Sequence, residues 1–292
     1  MKLARVLPML TLVAAAPFCA PAAHAAETGV VAGDKALAAA VAGEWRTGED
    51  KARDRYRRPV EALTFWGLKP GMTILEVQPG AGWWTDILAP YAKATGGKFY
   101  ATAPDLANPK LSDGARKARA DFATRYAAKP DVFGKVELVD WGPVSRTLPA
   151  DTFDFILTAR SIHGWMQQGP DVAQQTFTEF YKALKPGGIL AVEQHRANPT
   201  GGAEKPETGY VSEQYVIDLA QKAGFELAAK SELNANPKDT KDHPFGVWTL
   251  PPALRSTPYN SSGPADTSFD HSKYLAIGES DRMTLKFVKK RG

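Results

Sequence analysis

Short apolar runs alternate with amphipathic segments through most of the chain after residue 70. The runs are rich in β-branched and aromatic residues, as strands are, and the segments repeat apolar residues at helical spacing. The predicted strands are Thr73–Val77, Lys98–Thr102, Val136–Asp140, Phe153–Thr158, Ile189–Glu193, Phe225–Ser231 and Thr284–Val288. The predicted helices between them are Trp83–Ala92, Asp113–Ala127, Asp171–Leu184 and Ser212–Ala223. This alternation predicts an α/β fold whose mostly parallel sheet has helices on both faces.

The two ends of the chain depart from the alternation. The last predicted strand has no helix before it, so we expect it to be an antiparallel edge strand. Upstream, Asp34–Trp45 and Asp50–Trp66 have helical spacing, and Pro59 is expected to break the second helix. The segment at about 234–281 is rich in proline and has little periodicity, which predicts a long irregular insertion. The predicted organisation is a helical cap over residues 26–68 and one domain over residues 69–292.

The first 25 residues have the pattern of a signal peptide. Two basic residues precede the apolar run Leu7–Ala16, and the small residues Ala23 and Ala25 occupy the two positions that a signal peptidase reads. The run is shorter than the roughly 20 apolar residues that cross a bilayer, so stable membrane insertion is not expected. We therefore predict cleavage near Ala25 and export, to the periplasm. The single cysteine, Cys19, would leave with this peptide, so the exported chain has no disulfide and no thiolate metal ligand.

The charge distribution and the spacing of histidines and acids argue against a nucleic-acid partner and against a bound metal. The formal net charge is +4, and the basic residues lie among acidic ones, so no nucleic-acid surface is predicted. The histidines and acids lack the local spacing of a metal site, so no metal is predicted. The oligomeric state is left open.

A glycine-containing turn follows the first predicted strand, in the stretch Ile74–Gly82. Gly80 and Gly82 let the backbone adopt positive φ and approach a ligand closely. The N–H groups of the turn and of the helix that follows can receive an anionic group. A dinucleotide-binding turn is the alternative, but it requires three spaced glycines and an acid about 20 residues later. Here the acid, Glu76, precedes the turn.

The stretch Glu76–Gly82 resembles the first motif of class I S-adenosylmethionine-dependent methyltransferases. Three further segments resemble later parts of that family in the right order: Phe153–Leu157, Leu184–Val192 and Ala223–Phe225. A closer resemblance is to a group of predicted, exported bacterial methyltransferases of unknown substrate, carried by Arg53-Asp54, Arg57-Arg58-Pro59, Pro79–Trp83, Thr85, Ser161–His163, Glu193–Arg196, Asp281-Arg282 and Lys286-Phe287. The resemblance implies a Rossmann-like class I methyltransferase fold with a seven-stranded sheet and S-adenosylmethionine as the cofactor.

The resemblance also implies which residues contact the cofactor. These are Glu76, Gln78, Pro79, Gly80, Ala81, Gly82, Asp105, Asp140 and Trp141. Gln78 stands where the family motif has its first glycine. Ala103 stands where the family often has a ribose-binding acid, and we expect Asp105 to take that part. Asp140 and Trp141 end the third predicted strand, where an acid and a stacking aromatic are expected for the adenine.

Three residues at the ends of neighbouring strands are candidates for proton transfer to or from an acceptor. His163 follows the fourth predicted strand, and Glu193 and His195 end the fifth. Open α/β sheets bind ligands at the carboxyl ends of their strands, and removing a proton from a hydroxyl or amine acceptor needs a base. The predicted function is methyl transfer to an unidentified small molecule. The alternative is an exported protein that binds a small molecule on this fold without catalysis.

Overall fold

The computed structural model describes residues 34–199, 205–259, 261 and 263–291. Their centre is one seven-stranded sheet. Its strands are β1 (Thr73–Val77), β2 (Lys98–Ala103), β3 (Val136–Asp140), β4 (Phe153–Ala159), β5 (Leu184–His195), β6 (Glu226–Ser231) and β7 (Arg282–Val288). The sequence predicted each of these strands to within a few residues, except that β5 begins five residues earlier than expected.

The strand order is β3-β2-β1-β4-β5-β7-β6. All neighbouring pairs are parallel except those of β7, which runs antiparallel to both β5 and β6. The last strand is antiparallel, as expected, but the expectation that it forms the edge is wrong, because β6 pairs with its other side and is itself outermost. This arrangement is the predicted Rossmann-like class I methyltransferase fold. The strand order reverses between the parallel neighbours β1 and β4. Open sheets bind ligands in the crevice at such a switch point.

Helices cover both faces of the sheet. They are α1 (Lys35–Ala42), α2 (Gly48–Ala52), α3 (Asp54–Arg57), α4 (Pro59–Trp66), α5 (Thr85–Ala94), α6 (Asp113–Ala127), α7 (Pro130–Phe133), α8 (Ile162–Gln168), α9 (Val172–Ala183), α10 (Glu213–Ala223) and α11 (Ser272–Ile277). Alternate residues of a strand serve opposite layers: Leu75 packs with α9 and α10, and Ile74 packs with α4 and α5. Burial on both faces explains why these strands are apolar throughout.

Pro59 divides the second predicted N-terminal helix, as expected. Arg58 adopts a left-handed conformation with φ 43°, and Pro59 then opens α4 at a position where it needs no N–H partner. The Nε1 atom of Trp66 donates to the Leu285 carbonyl at 3.0 Å, which fixes α4 on β7. The N-terminal helices belong to the same compact unit as the sheet, and the domain boundary near residue 68 stays a prediction.

The segment before β7 is largely irregular, with a 3₁₀ turn at Gly246–Thr249 and the short helix α11. It is nonetheless tied to the rest of the chain by buried hydrogen bonds. Asn234 donates to the carbonyls of Tyr56 and Arg57, at 3.1 and 2.9 Å, and accepts from Thr284 at 2.8 Å. The predicted irregular insertion therefore joins the N-terminal helices to the sheet.

The predicted signal peptide and its cleavage near Ala25 lie outside the described residues, and export stays a prediction. Within the described ranges, no helix has both the length and the apolar character needed to cross a membrane.

Candidate active site

The turn after β1 has the backbone that the sequence predicted. Gly80 and Gly82 have φ values of 59° and 88°. A methyl group added at Gly82 would overlap the hydroxyl of Tyr126, whereas one added at Gly80 would meet no atom within 4 Å. Gly82 is thus required by packing inside the protein. Gly80 faces open space, where a ligand can approach the backbone.

Two non-glycine residues at the carboxyl ends of adjacent strands also have positive φ. Gln78 follows β1 with φ 51°, and Arg160 follows β4 with φ 63°. The Gln78 N–H donates to Thr102 Oγ1 at 2.8 Å, and its Oε1 accepts from Trp165 Nε1 at 3.1 Å. A backbone of this kind costs about 1–3 kcal/mol per residue and is concentrated at functional sites. Both residues flank the crevice between β1 and β4.

A cavity of about 500 Å³ opens beside the turn, at the carboxyl ends of β1, β2 and β3. Gln78, Pro79 and Gly80 form one wall, and Ala103 and Trp141 contribute to the others. Trp141 packs face to face on Phe180 and edge-on against Trp165. Its buried Nε1 has no hydrogen-bond partner among the described residues. A buried polar atom without a partner at a cavity wall indicates a ligand or an ordered water.

Asp105 lines the cavity, but its carboxylate is engaged by its own loop. One oxygen accepts from Ala107 N–H at 2.9 Å and from the Ser145 hydroxyl at 3.0 Å. The other accepts from the N–H groups of Val144 and Ser145, at 3.2 and 2.6 Å. A carboxylate has about four acceptor positions, so these bonds use nearly all of its capacity. Asp105 shapes the loop, and its part in binding ribose stays a prediction.

Asp140 forms an ion pair with Arg119 at the end of β3. Arg119 lines the cavity, and it also donates to the Pro104 carbonyl at 2.7 Å. Of the two residues predicted to hold an adenine at this point, Trp141 forms the cavity wall directly and Asp140 positions the arginine next to it.

Glu76 is buried behind the turn. Thr85, the first residue of α5, donates its hydroxyl to Glu76 Oε2 at 2.6 Å. Burial raises the pKa of Glu76 to about 8, although the hydrogen bond from Thr85 opposes the shift. At neutral pH the ligand-free protein therefore holds this carboxyl largely protonated. A cationic ligand group beside it would favour the ionised form.

The raised pKa makes stability depend on pH in a defined direction. The folded protein binds the Glu76 proton more tightly than the unfolded chain, so this residue's contribution falls as pH rises from about 4.5 to about 8. Glu76→Gln imitates the protonated form. Between pH 5 and pH 8, its free energy of unfolding is expected to fall by about 2–4 kcal/mol less than that of the wild type. Urea unfolding of both proteins at pH 5, 6.5 and 8 measures the difference. Equal pH slopes would contradict the prediction.

His163 and His195, on the neighbouring ends of β4 and β5, lie with ring centroids 5.9 Å apart. Gln194 fixes the state of His163: its Oε1 accepts from Ile162 N–H at 3.2 Å, so its Nε2 faces His163 Nδ1 at 3.2 Å and Gly209 O at 3.0 Å as the donor. Burial lowers the pKa of His163 to about 4. The neutral imidazole therefore carries its proton on Nε2, where it is a hydrogen-bond donor.

His195 differs from His163 in its partner. Its Nδ1 lies 2.6 Å from Ser280 Oγ, and its Nε2 has no hydrogen-bond partner among the described residues. Burial, followed by the influence of His163 and of Arg282, lowers the pKa of His195 well below its usual range. The imidazole is neutral at pH 7. In the tautomer that donates Nδ1–H to Ser280 Oγ, the lone pair of Nε2 is available to accept a proton.

Glu193 does not face the histidines as a free carboxylate. Arg282 Nη1 donates to its Oε1 at 2.7 Å, and both side chains are fully buried. Although burial opposes it, the Arg282 guanidinium lowers the pKa of Glu193 below its usual range. The carboxylate is thus ionised and paired with Arg282, and the part of Glu193 in proton transfer stays a prediction. Its Oε2 has no partner among the described residues.

The site contains residues whose roles the sequence did not predict. Glu279 accepts from Arg53 at 2.7 Å, from Arg57 at 3.1 Å and from Arg282. These pairs join the N-terminal helices, the irregular segment and β7 around the ends of β4 and β5. The sequence offered no signal for the pairing of Arg57 with Glu279, since two residues 222 positions apart leave no local pattern. Within the described ranges, no group of His, Cys, Asp and Glu side chains could hold a metal ion.

No family model matches this chain. It is 25% identical over 207 residues to a ubiquinone/menaquinone biosynthesis C-methyltransferase of Ruegeria sp. (strain TM1040), which is 60% of this chain and 74% of that protein. A SAM dependent methyltransferase from Aquifex aeolicus is 24% identical, with a TM-score of 0.46, over 62% of this chain and 86% of that one. Burkholderia thailandensis 1,6-didemethyltoxoflavin-N1-methyltransferase is 17% identical, with a TM-score of 0.45, over 95% and 93%. The strand order defines the fold independently of these likenesses.

Proposed function

We propose that this protein binds S-adenosylmethionine in the cavity beside the β1 turn and transfers its methyl group to a small molecule. The observation that carries the proposal is the conjunction of Gly80, whose backbone faces open space, with the adjoining cavity of about 500 Å³. Both lie at the switch point of the sheet. The similarity to a curated C-methyltransferase supports the same activity.

The residues present fit this cofactor in three respects. Trp141 offers an aromatic wall for the adenine and an Nε1 donor that no described residue engages. The turn at Gly80 offers backbone N–H groups for a carboxylate. Glu76, ionised when a cation approaches, offers a countercharge to the ammonium group. The place of the usual ribose-binding acid is held by Ala103, so the ribose hydroxyls would rely on other polar groups of the cavity, such as Thr102.

When bound, the cofactor supplies a methyl group on a sulfonium, which is already a good leaving group. The protein therefore has to orient the acceptor, exclude water and manage one proton. We assign removal of the acceptor's proton to His195 Nε2, with Ser280 orienting the ring through Nδ1. We assign His163 Nε2–H to hydrogen bonding with the acceptor, because Gln194 fixes that tautomer. Glu193 acts through Arg282 as a positioning residue.

Calorimetric titration with S-adenosylhomocysteine tests the proposal. Gly80→Arg is expected to weaken binding at least about tenfold, since a side chain at Gly80 projects where the ligand approaches. Gly96→Arg is the matched control: Gly96 also has positive φ and open space around it, but lies in the loop before β2, away from the site. The control carries the same backbone strain and is expected to bind as the wild type does. Equal binding by all three proteins would overturn the proposed site.

A further inference from the structure

The end of β4 and β5 carries more guanidinium than carboxylate groups. Arg53, Arg57 and Arg282 all pair with Glu279, and Arg282 also pairs with Glu193. The fourth arginine, Arg160, has no ion pair among the described residues. Among the described residues, two further carboxyl groups lie at its edges: Asp50 is 4.0 Å from Arg53, and Glu76, which senses the charge of Arg160, has a pKa raised to about 8 by burial. Four cations therefore share two close anions, and the positive charge is incompletely compensated.

Arg57 shows the lack of compensation at the level of single atoms. Its side chain is 2% exposed, and its Nη1 has no hydrogen-bond partner among the described residues. The guanidinium lies 4.5 Å from the ring centroid of Trp83, the residue that follows the glycine turn. Burial, and next the like charge of Arg160, lower the pKa of Arg57 well below its usual range. A buried cation with an unpaired donor costs free energy unless a ligand accepts a hydrogen bond from that donor.

Arg160 is placed to receive such a ligand. It lies in the crevice at φ 63°, held by its own N–H, which donates to the Glu193 carbonyl at 2.7 Å. The side chain is only half-buried, like those of His163 and His195 close by. Four residues further along, a methyl group added at Gly164 would meet no atom within 4 Å, so the approach is open. His163 adds a neutral N–H donor to the same surface.

We propose that the methyl acceptor is an anionic small molecule whose carboxylate or phosphate group binds to Arg160 and Arg57, beside His163 and His195. The identification of this anion as the methyl acceptor rests on the proposed function, whereas the anion site itself does not. Guanidinium groups bind carboxylate and phosphate oxygens through paired N–H donors, and an anion here would supply the missing countercharge. The edge-on contact of Trp248 with His163, with ring centroids 5.6 Å apart, provides an apolar surface for an aromatic acid.

The test compares acids with neutral molecules of the same shape. Benzoate and phenylphosphate are titrated into protein saturated with S-adenosylhomocysteine, in parallel with benzamide and phenyl methanesulfonate. At least one acid is expected to bind about tenfold or more tightly than its neutral counterpart, as charge-assisted hydrogen bonds allow. The two acids separate a carboxylate site from a phosphate site. Neutral compounds that bind as tightly as both acids would overturn the proposal.

Variants locate the site. Arg160→Gln is expected to reduce the preference for the acid to below about threefold, and Arg160→Lys to retain part of it. Arg55→Gln is the control, since Arg55 is an exposed arginine of α3 without an ion pair in the described chain. An unchanged preference in Arg160→Gln contradicts the proposal. So does a loss of S-adenosylhomocysteine affinity of about tenfold or more in that variant, because Arg160 would then bind the carboxylate of the donor.

The outcome for the proposed function is read separately. If the wild-type protein binds benzoate or phenylphosphate through Arg160 but does not bind S-adenosylhomocysteine, the anion site is supported and the proposed methyltransferase activity is overturned. Protein that binds S-adenosylhomocysteine but no acid keeps the methyltransferase and removes the anion site.

Discussion

Replacing Arg282 with methionine is expected to destabilise the protein by about 3–5 kcal/mol, because it leaves a buried charge without its partner. Arg282 is 1% exposed and donates to Glu193 at 2.7 Å, whereas Glu279 keeps Arg53 and Arg57. Glu193 has no other ion pair among the described residues, and its Oε2 is already unpartnered. The loss therefore falls mainly on Glu193. Urea unfolding at pH 7 measures it.

A second substitution separates lost charge pairing from lost packing. The double variant Arg282→Met with Glu193→Leu removes both charges, and replacing a buried ion pair by apolar residues is often neutral. We expect it to recover at least about half of the loss, a coupling that a double-mutant cycle measures directly. Lowering the pH should also relieve the single variant, since Glu193 can then be protonated. A double variant no more stable than the single one would show that packing, rather than pairing, dominates at this position.

The regular part of the fold was predictable because its signals are local. The helix Asp113–Ala127 and the strand Val136–Asp140 begin and end where the sequence predicted. Periodicity and turn residues lie within a dozen positions of one another. The short helices α7, α8 and α11 were not predicted, since a helix of four to seven residues shows no full apolar period. The order of β6 and β7 depends on long-range pairing, which a single sequence does not encode locally.

The candidate site was predictable to the extent that strand ends meet. His163 and His195 were expected at the ligand-binding edge, and β4 and β5 bring their rings within 5.9 Å of each other. Neither the tautomer of His163, set by Gln194, nor the pairing of Glu193 with Arg282 has a signature in spacing. Arg160 was passed over because an arginine after a strand carries no pattern. Its positive φ, and the absence of an ion pair to it within the described chain, became visible only in three dimensions.

His195 carries the second large prediction, which concerns turnover. The free Nε2 of a neutral imidazole, oriented through Nδ1 by Ser280, is the base that the site offers to a hydroxyl or amine acceptor. His195→Gln is expected to lower methyl transfer about 100- to 10,000-fold, the usual contribution of a positioned base. Transfer of tritiated methyl groups from S-adenosylmethionine to a small-molecule extract of the native host measures it. Binding of S-adenosylhomocysteine is expected to stay within about twofold, because the cavity beside the β1 turn does not include His195.

Two comparisons decide whether His195 acts chemically or structurally. His271→Gln is the matched control, since His271 lies in the irregular segment, where its Nε2 is 2.8 Å from the Leu254 carbonyl and its ring packs edge-on against Phe269. It is expected to transfer methyl groups at the wild-type rate. If His195→Gln also transfers at that rate, the acceptor loses its proton without help from this residue. If it loses transfer and cofactor binding to the same degree, the side chain supports the fold of the site and the assignment of the base is wrong. The proposed chemistry therefore requires a fall in turnover with cofactor affinity unchanged.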